Sequence, residues 1–299
     1  MNNINVGIPR ALFFYEEGYF FEEFFKLLGF NVIVSNETNK EIYTLGEANS
    51  NDEMCTSLKI FIGHVMSLKD KCDYILNFNL DNEGLKNQGC TNYIATNEII
   101  KNILDKKTIN IDINHMMYKT LYKQCLKLTN KFNISSDLIK KSYMYAKVKN
   151  AKRRKEIVIE NTNKLYLIDK KKVLIAGHSY NIHDKYITEE IINFFKNRNI
   201  EVIYSDYFDY EKTKEKSKDI TTNLYWKNNK QYIGAISLAE NYVDYIVTIS
   251  TFPCSNDLLV NNFIRNKIKR PILNLLLDDI NSLTGIITRL ESFIDINEN

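Results

Sequence analysis

The chain has 299 residues, 44% of them hydrophobic, which is enough material for about two packed domains. Its net charge of +3, with 26% charged residues, argues against a dedicated nucleic-acid surface. No apolar run approaches the length of a membrane span, and the N-terminus lacks a basic region followed by an apolar run and a cleavage site, so a cytoplasmic protein is expected.

In chain order, Asn5 to Ile8 reads as a short strand ended by Pro9. Ala11 to Leu28 follows with helical spacing of Phe13, Phe14, Phe20, Phe21, Phe24 and Phe25, read as core packing, and Gly29 closes the helix. Phe30 to Ser35 is a second strand, and Thr38 to Leu45 is helical. Asn51 to Leu68 reads as a further helix capped by Asn51 or Asp52, carrying Glu53, Cys55, Gly63 and His64. Cys72 to Phe78 is a third strand. A polar, irregular segment from Asn79 to Asn92 contains Cys90, and a fourth strand spans Lys107 to Ile113. Strands alternating with helices predict an α/β domain with a mostly parallel sheet over 1–114.

From 115 to 168 the pattern is helical and charged, and it is read as a linker. Its basic run, Lys147 to Lys155, is read as a solvated face. A second α/β domain is expected over 169–299. Its strands are Lys172 to His178, Ile200 to Ser205, Val243 to Ile249 and Arg270 to Leu277. Its helices are Ile187 to Asn197, Gln231 to Glu240, Leu258 to Ile268 and Leu283 to Ile296, with Asp209 to Asn223 as a lysine-rich loop. The fold class is therefore two Rossmann-like, flavodoxin-like parallel-sheet domains joined by a helical linker.

Five scattered cysteines in a large chain are not a disulfide framework. Cys254 stands where an apolar strand, stopped by Pro253, gives way to a helix that Asn256 or Asp257 can cap. Ligands of open α/β sheets bind at such strand ends, and a helix start favours the anionic, metal-ligating form of a thiol. A buried thiol packing as a small hydrophobe is the equal alternative at that position. Cys72 and Cys125 read as structural. Glu53, His64 and His178 are candidate acid/base residues by location only, and a lone His such as His64 is more often hydrogen-bonded structure. No CxxC pair, Walker pattern or GxGxxG spacing is present.

A set of short words runs through the chain in order: Gly7-Ile-Pro-Arg-Ala-Leu12, Leu28-Gly-Phe-Asn-Val-Ile-Val-Ser35, Thr38-Asn-Lys-Glu41, Asp52-Glu-Met-Cys55 and Gly63-His-Val65. Then come Gly177-His-Ser-Tyr-Asn-Ile182, Leu224-Tyr-Trp226, Thr251-Phe-Pro-Cys254, Asp257, Arg270-Pro271, Leu277-Asp278 and Thr288-Arg-Leu-Glu291. On these the chain resembles the small subunits of 2-hydroxyacyl-CoA dehydratases and benzoyl-CoA reductases, and more closely the stand-alone CoA-substrate-specific enzyme activase-related proteins. The resemblance implies a four-iron four-sulfur cluster, or a larger double-cubane type, held by Cys55, Cys90 and Cys254. It also implies an ATP-dependent activase or other electron donor as partner, acyl-CoA as a substrate class, and a homo- or heterodimer. In the dehydratases the activase passes one electron to the cluster, which reduces an acyl-CoA thioester; double-cubane relatives reduce small molecules.

The sequence departs from the family's pattern at Ser57, Ile62, Thr91-Asn92, Cys254-Ser-Asn-Asp257 and Asp279-Ile280. Three readings follow. One is an iron–sulfur redox protein, either an electron carrier or a dehydratase or reductase component. The alternative is a cluster-less two-domain α/β protein that binds a ligand or partner. The third is thiol or zinc chemistry at the same cysteines.

Overall fold

The computed structural model describes residues 4–84, 87–105, 107–278 and 284–298. The chain divides into two compact units, one up to Arg153 and one from Arg154.

In the first unit, β1 (Asn5–Ile8), β2 (Asn31–Val34), β3 (Tyr74–Asn82) and β4 (Lys107–Asn114) form a parallel sheet in the order β2-β1-β3-β4. Between them run α1 (Phe14–Leu27), α2 (Lys40–Ala48), α3 (Thr56–Leu68), α4 (Thr91–Ile94) and α5 (Thr96–Ile103). α6 (Leu121–Leu126), α7 (Leu128–Phe132) and the 29-residue α8 (Ser136–Lys164) follow, and the division between the units falls within α8. The phenylalanine spacing in α1 buries Phe20, Phe21, Phe24 and Phe25, with Phe13 just ahead of the helix and Phe78 of β3 packed on Phe13 and Phe21. α1 ends as a Schellman motif. Gly29, at φ 85°, donates to Lys26 O, and Phe30 N–H donates to Phe25 O.

α2 and α3 touch through two glycines. A Cβ at Gly46 would stand 1.9 Å from the Lys59 carbonyl oxygen, and one at Gly63 1.9 Å from that of Ile42. Only glycine permits this approach, and it sets His64 against the segment after β2. The basic run is partly engaged rather than wholly solvated: Lys149 pairs with Glu23 at 2.9 Å and Arg153 lies over the Tyr19 ring.

The second unit repeats the plan. β5 (Lys172–Gly177), β6 (Glu201–Tyr204), β7 (Tyr245–Thr251) and β8 (Ile272–Leu277) form a parallel sheet in the order β6-β5-β7-β8. Its helices are α9 (Ser179–Ile182), α10 (Lys185–Asn197), α11 (Tyr210–Ile220), α12 (Lys227–Ala239), α13 (Ser255–Arg265) and α14 (Thr284–Glu298). β7 is buried along its whole length, as its Ile- and Val-rich sequence requires in a parallel sheet covered on both faces. Leu174, Ile203, Ile233, Ile236 and Ile246 centre the core.

The stretch expected as a lysine-rich loop is the helix α11. Asp209 caps it by accepting from Lys212 N–H, and Thr213, Ser217 and Ile220 line its buried face. Its apolar face is small because it meets a glycine: a Cβ at Gly234 of α12 would stand 1.8 Å from the Thr213 carbonyl oxygen. A composition-based reading cannot see a face built from Thr and Ser.

In both sheets the chain leaves the first strand to one side and returns on the other. The switch points therefore lie at the carboxyl ends of β1/β3 and β5/β7, where open α/β sheets bind ligands. No helix among the described residues is long and apolar enough to cross a membrane.

Candidate functional site

The five cysteines fall into two groups. Cys55, Cys90 and Cys254 each occupy the N-cap position of a helix, α3, α4 and α13 respectively, with extended backbone and partial exposure. Cys90 follows β3 and Cys254 follows β7, the corresponding strands of the two sheets. Cys72 and Cys125 are buried, at 4% and 0% exposure. Cys72 donates to Leu68 O, and burial pushes the Cys125 thiol far above its ordinary pKa.

The helix starts differ from those expected. α3 begins at Thr56 rather than Asn51, because Asn51 Oδ1 accepts from Glu53 N–H and closes a turn instead of capping. This puts Cys55 at the cap, and Glu53 is exposed in the turn before it. α13 begins at Ser255 rather than Leu258, so Asp257 is not its cap but lies buried in its first turn.

Cys90 is held by contacts that no spacing in the sequence announces. Gly89 N–H donates to Asp81 O, and a Cβ at Gly89 would stand 1.8 Å from the Leu80 carbonyl oxygen. Just beyond Cys90, Asn79 of β3 donates to Ile94 O at 2.7 Å and accepts from Thr96 Oγ1 at 3.1 Å.

In the second unit, His178 and Cys254 come together at the carboxyl ends of the adjacent strands β5 and β7. Asp257 joins them, and ligand atoms of the three lie within 4.8 Å of one another. His178 Nε2 is 3.0 Å from Asp257 Oδ1, which also accepts from Asn229 Nδ2 at 2.9 Å and from the Tyr232 hydroxyl at 3.4 Å. Burial opposes charge on the His178 ring, but the Asp257 carboxylate outweighs it and raises the pKa well above its ordinary value. Burial likewise opposes charge on Asp257, and His178 outweighs it, holding the carboxyl below its usual range. The two form a buried ion pair beside a partly exposed thiol. Gly177 makes the close strand approach possible, since a Cβ there would lie 2.4 Å from Ile249 O. A cavity of about 10 Å³, room for a single water, lies at the end of β5 and is lined by Gly177, His178, Ser179, Asp206, Gln231 and Tyr232.

Against known families, residues 5–208 match the model described as CoA enzyme activase uncharacterised domain. The chain belongs to that family. No curated protein matches it. Among solved structures, it is similar to one described as the crystal structure of ZnuA, with 11% identity over 99% of this chain and 98% of that one and a TM-score of 0.33. It is also similar to the periplasmic zinc binding protein TroA from Treponema pallidum, with 10% identity over 97% of each chain and a TM-score of 0.30. Likeness at this level says nothing about the site.

This member of the CoA enzyme activase domain family carries two further histidines in defined surroundings. His64 is wholly buried. Its Nδ1 lies 2.9 Å from Ser35 Oγ and its Nε2 2.9 Å from Thr38 Oγ1, and burial, reinforced by nearby Arg10, lowers its pKa to about 3. A neutral ring that bridges two hydroxyls is placed to hold the β2–α2 connection rather than to exchange protons with solvent. His183 Nε2 contacts both carboxylate oxygens of Asp206 at 2.9 Å. Burial works to raise the Asp206 pKa, but the ring outweighs it and holds the carboxyl low.

Asp257, Asn229 and Tyr232 escaped the sequence reading. Asp257 stood only in the family words and as a helix cap. Its partner His178 is 79 positions away, and only the β5–β7 pairing brings the two together. Asp279 and Ile280, named among the departures, lie outside the described residues.

Proposed function

We propose that this protein is an iron–sulfur redox protein related to the 2-hydroxyacyl-CoA dehydratase small subunits, with Cys55, Cys90 and Cys254 as the thiolate ligands of a four-iron four-sulfur cluster. Membership of the CoA enzyme activase domain family supports the CoA-related class. The observation that carries the ligand set is the sorting of the cysteines. The three that the family resemblance implicates are the three partly exposed helix N-cap thiols, and the other two are buried. Three thiolates are the donor set of ordinary cluster ligation. A bound cluster would supply one-electron chemistry at low potential, with an ATP-dependent activase as electron donor and an acyl-CoA or small molecule as acceptor.

The chain's own residues have positioning roles in this reading. Asn79 and Gly89 fix the segment that carries Cys90. The His178–Asp257 pair stands against Cys254 and orients that side of the site.

The test is anaerobic purification and reconstitution with iron and sulfide, followed by metal and sulfide analysis and electron paramagnetic resonance. About four irons and four sulfides per chain, lost in Cys55→Ser, Cys90→Ser and Cys254→Ser alike, is the expected result. Reconstituted protein without iron would sink the assignment.

A further inference from the structure

The second unit holds a donor set that is complete without the first. Cys254 Sγ, a His178 ring nitrogen and an Asp257 carboxylate oxygen lie within 4.8 Å of one another, on elements fixed by the β5–β7 pairing. Sulfur, imidazole and carboxylate are the three ligand types of zinc, and three protein ligands with one open position are the pattern of a reactive zinc site.

We propose that His178, Cys254 and Asp257 bind a single divalent metal ion of the zinc class, which displaces to solvent the proton His178 shares with Asp257 and the proton of the Cys254 thiol. Three observations carry the inference. First, Asp257 is 2% exposed, and its Oδ2 is buried without a hydrogen-bond partner among the described residues. A buried carboxylate oxygen normally has a partner, and a metal ion is one. Second, Oδ1 is already oriented by Asn229 and the Tyr232 hydroxyl, which supplies the outer shell that fixes a metal-binding carboxylate. Third, the three donors are already gathered. Ligand bonds of about 2.0–2.3 Å place neighbouring donor atoms roughly 3.3–3.6 Å apart. Here the donors lie within 4.8 Å of one another, so side-chain movements must draw them in around an ion, with Oδ2 turned to it while Oδ1 stays with Asn229 and Tyr232.

Cys254, only partly buried, leaves the open position on the accessible side. The site does not rest on the cluster reading, because it uses neither Cys55 nor Cys90. At Cys254 the two occupancies exclude each other, so zinc would also block cluster assembly.

The experiment uses the full-length apo protein, prepared anaerobically, titrated with zinc by calorimetry and with cobalt for its thiolate charge-transfer band. We expect one equivalent per chain, retained in the Cys55→Ser/Cys90→Ser double variant. Cys254→Ser and Asp257→Asn should each weaken binding by more than about 100-fold, and Tyr232→Phe by about tenfold. Serine is itself a good N-cap, so Cys254→Ser keeps the fold even where Asp257→Asn does not. The proposal is overturned if wild type takes up no zinc, if uptake survives Cys254→Ser, or if it is lost in the double variant. The cluster assignment is read separately, from iron and sulfide, and depends on all three cysteines.

Discussion

His64 offers a quantitative test of the first unit. Its ring is fully buried and bridges Ser35 and Thr38, and its pKa falls to about 3 against 6.5 in the unfolded chain. Between those values the unfolded state binds a proton that the folded state refuses, so stability rises with pH across the interval and is lost as pH falls. Above pH 6.5 the ring is neutral in both states and the contribution is flat. Each pH unit below is worth about 1.4 kcal/mol, so moving from pH 8 to pH 5 costs roughly 2 kcal/mol from this one group.

The comparison is with His64→Gln, whose amide keeps a donor and an acceptor but does not titrate. Urea unfolding of both proteins at pH 8 and pH 5, followed by circular dichroism, cancels the other titrating groups. The pH-dependent loss should be about 2 kcal/mol larger in wild type. Equal losses in the two proteins would refute the claim that the ring is held neutral in a desolvated site.

Four further outcomes follow from the geometry. Gly63→Ala forces a methyl to within 1.9 Å of the Ile42 carbonyl oxygen, so the α2–α3 contact must open; a loss of at least about 1–3 kcal/mol is expected in urea melts. Cys72→Ala and Cys125→Ala should leave reconstituted iron and sulfide unchanged while lowering stability by about 1 kcal/mol, the mark of buried packing thiols. Asn79→Ala removes the side-chain donor to the Ile94 carbonyl and leaves the Thr96 hydroxyl to Tyr93 O alone; peptides spanning Cys90 should exchange amide hydrogens faster, with little change elsewhere. Asp257→Asn leaves buried His178 without its counter-charge, and a loss of about 3 kcal/mol in urea melts, with a fall in the His178 pKa read by NMR, is expected.

Local signals were legible where one period or one residue settles the matter. The phenylalanine spacing of α1, Gly29 as its stop, and the apolar run of β7 each fixed an element before any fold was known. Where two local choices compete, the sequence was silent. Asn51 can cap a helix or close a turn, and it closes a turn; Asp257 can cap α13 or face inward, and it faces His178. The buried face of α11, Thr213, Ser217 and Ile220 against Gly234, keeps the helical period but carries a single apolar residue.

What the chain alone determined is therefore the alternation of strands and helices, and with it two parallel sheets, because buried strands and amphipathic helices write their periods into consecutive residues. What only the tertiary structure decided is which polar groups meet. Strand order sets His178 beside Cys254 and Asp257, and the fold-back of the chain after β3 sets Asn79 beside the segment of Cys90, through contacts that no local period encodes. The sorting of the cysteines was legible in part: their neighbours marked Cys72 and Cys125 as structural and set Cys254 between a strand end and a helix start, but that Cys55 and Cys90 stand at helix caps depends on where each helix starts.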